Sequence, residues 1–227
     1  MLSLNQIAHI ENDFKTKFGV PFQSNVVKNV SGTIVFEEEY RNAQMLRGLE
    51  DFSHIWLIWG FSENNTVKWS PTVRPPRLGG NVRKGVFATR SPFRPNPVGL
   101  SSVRIEKIFE HPFYGTVIDI SGADMVSGTP IYDIKPYIAF TDSHPNAFGG
   151  FSQSPEKRRL KVVAGDHFRE HISQAQEDIL KDILSFDPRP QYHNDTSRIY
   201  GMDYGRLKIK FKVSGNILFV LNVKRIS

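Results

Sequence analysis

The sequence predicts a mainly β protein: an antiparallel barrel or sandwich over the first ~140 residues, then a small α+β unit. Three observations carry this. Short β-branched and aromatic runs, each bounded by turn residues, recur through the N-terminal two thirds. No alternation of strands with long helices announces a Rossmann sheet. Beyond a polar, Gly-containing stretch the pattern changes to one amphipathic helix and a hairpin.

In chain order, strands are expected at Ile7–Ile10, Gly32–Phe36, His54–Phe61, Lys84–Ala88, Leu100–Phe109, Tyr114–Ile120 and Ile134–Ala139. Tyr40–Arg47 has helical spacing and stops at Gly48, so a short helix is expected there. Asp142–Ser154 reads as a linker. Asp166 is placed as an N-cap, with Phe168, Ile172, Ala175, Ile179 and Ile183 at helical spacing down to Asp187-Pro188. Leu207, Ile209, Phe211 and Val213 then alternate with Lys208, Lys210 and Lys212. Ser214-Gly-Asn216 turns that strand into Ile217–Val223. No internal repeat is visible.

The charge is concentrated. The 227 residues hold 29 Lys and Arg against 23 Asp and Glu, a net +6. Between Asn64 and Ile105 there is no acidic residue, yet Lys68, Arg74, Arg77, Arg83, Lys84, Arg90, Arg94 and Arg104 all fall there. Outside that window the chain is slightly acidic. Within it, arginines are interspersed with prolines and glycines, which fix or free φ and so make a shaped loop. Flanking apolar runs, and Val86-Phe87-Ala88 as a short buried strand, argue for an ordered loop rather than a disordered tail. Guanidinium groups on a rigid irregular backbone suit phosphates or carboxylates, and a pI near 9.5 favours a polyanionic partner such as nucleic acid.

Other classes are excluded or unsupported. With no cysteine, disulfides, thiolate nucleophiles and cysteine-ligated zinc are impossible. That is compatible with a cytoplasmic address. The N-terminus lacks the basic start and apolar run of a signal peptide, and Ile55–Phe61 is far short of the ~20 residues of a membrane span. No Gly-x-x-x-x-Gly-Lys phosphate loop and no Gly-x-Gly-x-x-Gly occurs. His167 and His171 stand four apart, a spacing two metal ligands could use, but no third ligand follows and no metal is expected. The lysines of the hairpin face away from its apolar side, where solvation and an RNA-backbone contact both account for them. The loop Ser121–Tyr137 leaves a strand and turns through Gly122 and Gly128. Its backbone amides and Asp124 are what an adenine edge or ribose hydroxyls need, and a plain turn capped by Asp explains them equally. Val20–Ser24 is a pocket wall or a tight turn, with Gln23 able both to donate and to accept.

Gly85–Gly99 closely resembles the signature of the TsaA-like (TrmO) family. Arg47–Trp56, Pro71–Gly80, Asp133–Tyr137 and Asp187–Pro190 look like further family blocks in family order. The resemblance implies a small non-Rossmann β-barrel over residues 1–142 that binds S-adenosyl-L-methionine, followed by an α+β C-terminal domain over 155–227. It implies a homodimer that methylates N6 of adenosine 37 in the tRNA anticodon loop, an adenosine usually already carrying a threonylcarbamoyl group. Carried over by position, the cofactor pocket uses Pro21, Phe22, Gln23, Ser62, Glu63, Arg90, Leu100, Ser121, Gly122, Ala123 and Asp124. Arg74, Arg77, Arg83 and Arg94 are left for RNA phosphates. Family members often have arginine at Phe22 and aspartate at Ser127. Two alternatives stand beside the enzyme: a non-catalytic RNA-binding protein on the same barrel, and a methyltransferase for another acceptor. No general base is assigned.

Overall fold

The fold is that of a computed structural model, which describes residues 3–61, 68–153, 159–165, 168, 170, 172–189 and 195–226. Six strands close the N-terminal sheet: β1 (Ala8–Glu11), β2 (Ser31–Phe36), β3 (His54–Gly60), β6 (Val98–His111), β7 (Gly115–Ser121) and β8 (Pro130–Pro136). Between β3 and β6 lies a two-residue ribbon of β4 (Thr72–Val73) and β5 (Lys84–Gly85). The order is β1-β2-β7-β6-β3-β8, and β8 returns to β1 through Ala8↔Ile131, giving a closed antiparallel barrel. Alternation along each strand sends one set of side chains inward. Ile55 and Leu57 of β3, Val103 of β6, Ile118 and Ile120 of β7 and Ile131 of β8 are wholly buried. Each such aliphatic side chain contributes about 1.5–3 kcal/mol by leaving water.

The C-terminal sheet has the order β10 (Tyr200–Tyr204), β11 (Leu207–Ser214), β12 (Ile217–Arg225), β9 (Lys161–Ala164). β9 runs parallel to β12, and the other pairs are antiparallel. Helix α2 (Gln174–Ser185) buries Leu180, Ile183 and Leu184 in the cluster that holds Ile209 and Phe211 of β11. The two sheets share this core. Phe14 meets Tyr204 edge to face at 5.2 Å, and Phe18 lies 6.3 Å from Phe211. The Gly205 amide donates to the Asp13 carbonyl at 2.7 Å. The segment between β1 and β2 is therefore clamped by the C-terminal sheet, which matters below because it carries Pro21 and Gln23.

The structure corrects several expected elements. Tyr40–Arg47 is two 3₁₀ turns, Glu38–Tyr40 and Ala43–Leu46, because extended Asn42 interrupts them and caps the second by accepting from the Gln44 amide. Lys84–Ala88 is only Lys84–Gly85 in strand and then a 3₁₀ turn. β4 offers just two residues to pair with, and the Val86 carbonyl accepts from the Thr89 amide and hydroxyl instead. Val86 is buried as expected, but Phe87 is 80% exposed. Ile134–Ala139 ends as a strand at Pro136. Helix α1 (Ala139–Asp142) follows, tied to β3 by the Trp56 indole donating to Asp142 at 2.9 Å. Asp166 lies outside the described residues, and α2 starts at Ser173. There the Ser173 hydroxyl accepts from the Gln176 amide, and the Gln176 side chain accepts from the Ser173 amide. β9 and β10 were not expected.

Candidate cofactor site

One open end of the barrel is built by three segments: the Val20–Asn25 turn, the loop after β5 and the loop after β7. Two left-handed residues lock the first against the third. Gly122 sits at φ +84° and Asn25 at φ +61°. The Asn25 amide donates to the Gly122 carbonyl at 3.0 Å, while its side chain donates to the Ser102 carbonyl on β6 at 2.8 Å. A Cβ on Gly122 would stand 2.3 Å from Asn25 Oδ1, so glycine is required both for φ and for space. This pairing brings the Ser24 amide to the Asp124 carboxylate.

Beneath the loops lies a cavity of about 410 Å³, lined by Val20, Pro21, Trp59, Phe61, Pro92 and Phe93 with Met125 and Val126. Asp124, Lys17 and Thr129 are its polar members. Asp124 is held by a directed chain of hydrogen bonds. The Trp59 indole donates to Ser101 Oγ at 2.9 Å, and Ser101 Oγ donates to Asp124 Oδ1 at 2.6 Å. An indole N–H can only donate, so the serine hydroxyl must turn its proton to the carboxylate. β3–β6 register sets Trp59 opposite Gly99, where any Cβ would be 2.2 Å from the indole ring. Gly99 thus makes room for the donor that orients Ser101, which is 1% exposed.

Burial is the largest influence on Asp124 and pushes its pKa up. The Ser101 hydroxyl, the Ser24 and Asp124 amides and the Arg90 charge oppose it, in that order. The site therefore presents a buried carboxylate whose acceptor role is fixed by Ser101 and the Ser24 amide and whose pKa lies above the ordinary aspartate value.

Of the expected cofactor residues, Pro21, Gln23, Arg90 and Asp124 come together. Arg90 Nη1 donates to Gln23 Oε1, and the Gln23 amide donates to the Phe22 carbonyl at 2.6 Å. Gly122 and Ala123 shape the turn, the latter with its methyl buried. Phe22 is 43% exposed and meets Phe186 edge to face at 6.0 Å, while the Arg159 guanidinium stands 4.4 Å from the Phe186 ring. Ser127 Oγ accepts from the Asn12 amide at 3.2 Å. Leu100, 53% exposed, points outward from β6, and Ser121 turns to Glu106 at 2.5 Å, so neither side chain lines the cavity. Ser62 and Glu63 lie outside the described residues, as do His167 and His171.

The arginine-rich loop is ordered by its own hydroxyls. Thr89 Oγ1 accepts from the Ser91 amide, and Ser91 Oγ from the Phe93 amide. Arg83 donates to Thr72 Oγ1 at 2.7 Å and Arg94 to the Thr89 carbonyl at 3.1 Å. Arg74 is exposed, and the side chain of Arg77 lies outside the described residues. Trp59, Ser101 and Phe93 were not singled out in the sequence. Their signal is faint, since a strand's inward serine beside a glycine opposite tryptophan is visible only once register is known.

The N-terminal unit is thus a closed, non-Rossmann antiparallel barrel with an apolar, carboxylate-bearing cavity at its rim. The family model described as the tRNA-methyltransferase O N-terminal domain matches residues 9–143, and that of the TrmO C-terminal domain matches residues 157–226. The chain belongs to the TrmO family of tRNA methyltransferases. A relative named tRNA (adenine(37)-N6)-methyltransferase from Escherichia coli is 36% identical over 217 residues, covering 92% of each chain. A Pseudomonas aeruginosa relative, named as a candidate S-adenosylmethionine-dependent methyltransferase, is 34% identical over 211 residues, 88% of this chain and 87% of its own. A crystal structure of TrmO from P. aeruginosa aligns with TM-score 0.79 at 28% identity, covering 99% of this chain and 97% of the other. The family's cofactor is S-adenosyl-L-methionine, and the residues present fit it. The aromatic and proline walls suit a purine, Asp124 is fixed as an acceptor for its amino group or a ribose hydroxyl, and Arg90 and Gln23 suit a carboxylate.

Proposed function

We propose that this protein transfers the methyl group of S-adenosyl-L-methionine to N6 of adenosine 37 in the tRNA anticodon loop, with threonylcarbamoyladenosine as the preferred acceptor. The observation that carries the reading is the cavity lined by Pro21 and Asp124, with the Arg90 guanidinium, hydrogen-bonded to Gln23, within electrostatic reach of the Asp124 carboxylate. Bound there, S-adenosyl-L-methionine supplies an electrophilic methyl group. Trp59 and Ser101 hold Asp124 in place, so that it binds a donor group with little rotational freedom left to lose. Phe61, Phe93 and Pro92 give the cavity an apolar wall. The arginine loop is tied down by Thr89 and Ser91, which fixes the rim against which an acceptor base must lie. Positioning the nucleophile near the methyl carbon is where an in-line displacement gains most.

Arg74, Arg77, Arg83 and Arg94 are proposed as contacts for anticodon-loop phosphates, and the working unit as a cytoplasmic homodimer divided at residues 1–142 and 155–227. Two exposed phenylalanines, Phe140 and Phe148, on the segment leaving the barrel are side chains that an isologous contact would cover. Nucleoside mass spectrometry of tRNA from a strain lacking the gene tests the reaction. The methylated threonylcarbamoyladenosine should disappear and return on complementation. An unchanged level would remove the tRNA substrate from the proposal.

A further inference from the structure

The C-terminal sheet has a buried face, packed on the barrel segment of Phe14 and Phe18, and an outer face open to solvent. Along β11, Leu207, Ile209, Phe211 and Val213 are buried while Lys208, Lys210 and Lys212 point to the other side. Register carries the pattern across the sheet. Lys224 of β12 lies opposite Lys208, Phe219 opposite Lys212, and Lys161 of β9 beside Ile217. Five lysines therefore share one outer face, with Asp203 of β10, opposite Lys208, as the acidic residue on it. Among the described residues none of the five makes an ion pair.

This arrangement is unfavourable for folding. Like charges directly opposite in a ladder destabilise it, and alternate residues of one strand stand only about 7 Å apart. A face that needed only solubility would mix both signs. Three further features suit a polyanionic backbone. The lysine spacing is regular along the strand. Gly201, beside Lys210, presents no side chain and has open space above it, which keeps that part of the sheet low. Phe219 offers a partly exposed ring between the lysines of β11 and Val163, a surface on which a base can stack.

We propose that the outer face of the C-terminal sheet, built on Lys208, Lys210 and Lys212, binds the phosphodiester backbone of the RNA substrate as a second contact, separate from the arginine loop of the barrel. The inference rests on the reading of the substrate as tRNA. Phosphate contacts of this kind position the nucleic acid and carry no sequence information.

The test uses the full-length protein and unmodified tRNA in fluorescence anisotropy over a salt series. The triple variant Lys208→Gln/Lys210→Gln/Lys212→Gln is compared with a charge-matched control, Lys15→Gln/Lys28→Gln/Lys107→Gln. At low salt the face variant should weaken tRNA binding at least about tenfold and reduce the slope of log Kd against log salt by about 2. S-adenosylhomocysteine affinity and the circular dichroism spectrum should not change. The control should bind tRNA within about twofold of the unsubstituted protein. Equal weakening by both variants would reduce the effect to net charge and overturn the proposal. So would unchanged tRNA binding by the face variant. If the unsubstituted protein itself failed to bind tRNA, the substrate reading would fall with it, whereas normal binding by both proteins would sink only the role of this face.

Discussion

At Ser101 one hydroxyl accepts from an indole and donates to a carboxylate, and the direction of both bonds is imposed by tryptophan chemistry. Removing it has a sign that can be worked out. Burial raises the Asp124 pKa above its ordinary 3.8, and the Ser101 hydroxyl is the leading influence that lowers it. A ligand donor bound by Asp124 needs the carboxylate form, so affinity for S-adenosylhomocysteine should fall as pH drops through that raised value. Ser101→Ala should move the fall to higher pH. A pH profile of affinity checks this, and coincident curves for variant and parent would show that the serine has no such role. Gly99 is the second critical position. Gly99→Ala forces a Cβ into the Trp59 ring, and overpacking of this kind costs about 1–3 kcal/mol. Denaturant unfolding should register that loss and calorimetry a matching loss of ligand affinity. A variant of parental stability would contradict the close contact.

Elements show where the sequence could be read and where it could not. Barrel strands such as His54–Gly60 and Val98–His111 were legible because alternation and β-branched content act locally. The 3₁₀ turn at Val86–Ala88 was not, since whether an apolar triplet pairs depends on a partner strand, here only two residues long. β9 and β10 escaped for a related reason, both being short and β9 finding its partner more than fifty residues away. Ser173-Gln174-Ala175-Gln176 did contain the capping box that starts α2, yet the apolar spacing extended upstream to Phe168 and masked it. Ser173→Ala should therefore destabilise the protein by about 1 kcal/mol and lower Tm by about 2–4 °C. No shift in calorimetric Tm would mean that the box contributes nothing in context. The site followed the same division. Pro21, Gln23, Arg90 and Asp124 were expected from the family resemblance and lie near one another in the fold, whereas Trp59 and Ser101 needed the β3–β6 register.

For the whole molecule, the shared core explains why barrel and C-terminal sheet should act together. Phe14 and Phe18 pack on Tyr204 and Phe211, and the same segment continues into the turn that presents Pro21 and Gln23. A substitution on the buried face of the C-terminal sheet is then expected to be felt at the proposed cofactor cavity, whereas one on its outer lysine face is not. Phe211→Ala should cost about 3–5 kcal/mol and also weaken S-adenosylhomocysteine binding, although it lies outside the cavity. Charge divides by place as well. The arginine loop borders the cavity and the lysine face lies on a separate sheet, so one substrate long enough to reach both would account for the two basic regions.

The central claim is that the cavity beside Asp124 is where S-adenosyl-L-methionine binds. Isothermal titration with S-adenosylhomocysteine tests it most directly, using the parent chain, Asp124→Asn and Arg90→Ala. The account predicts saturable binding by the parent and at least about tenfold weaker binding by each variant, a loss of about 1.4 kcal/mol or more. No binding by the parent at millimolar ligand, or equal affinity in all three proteins, would contradict it.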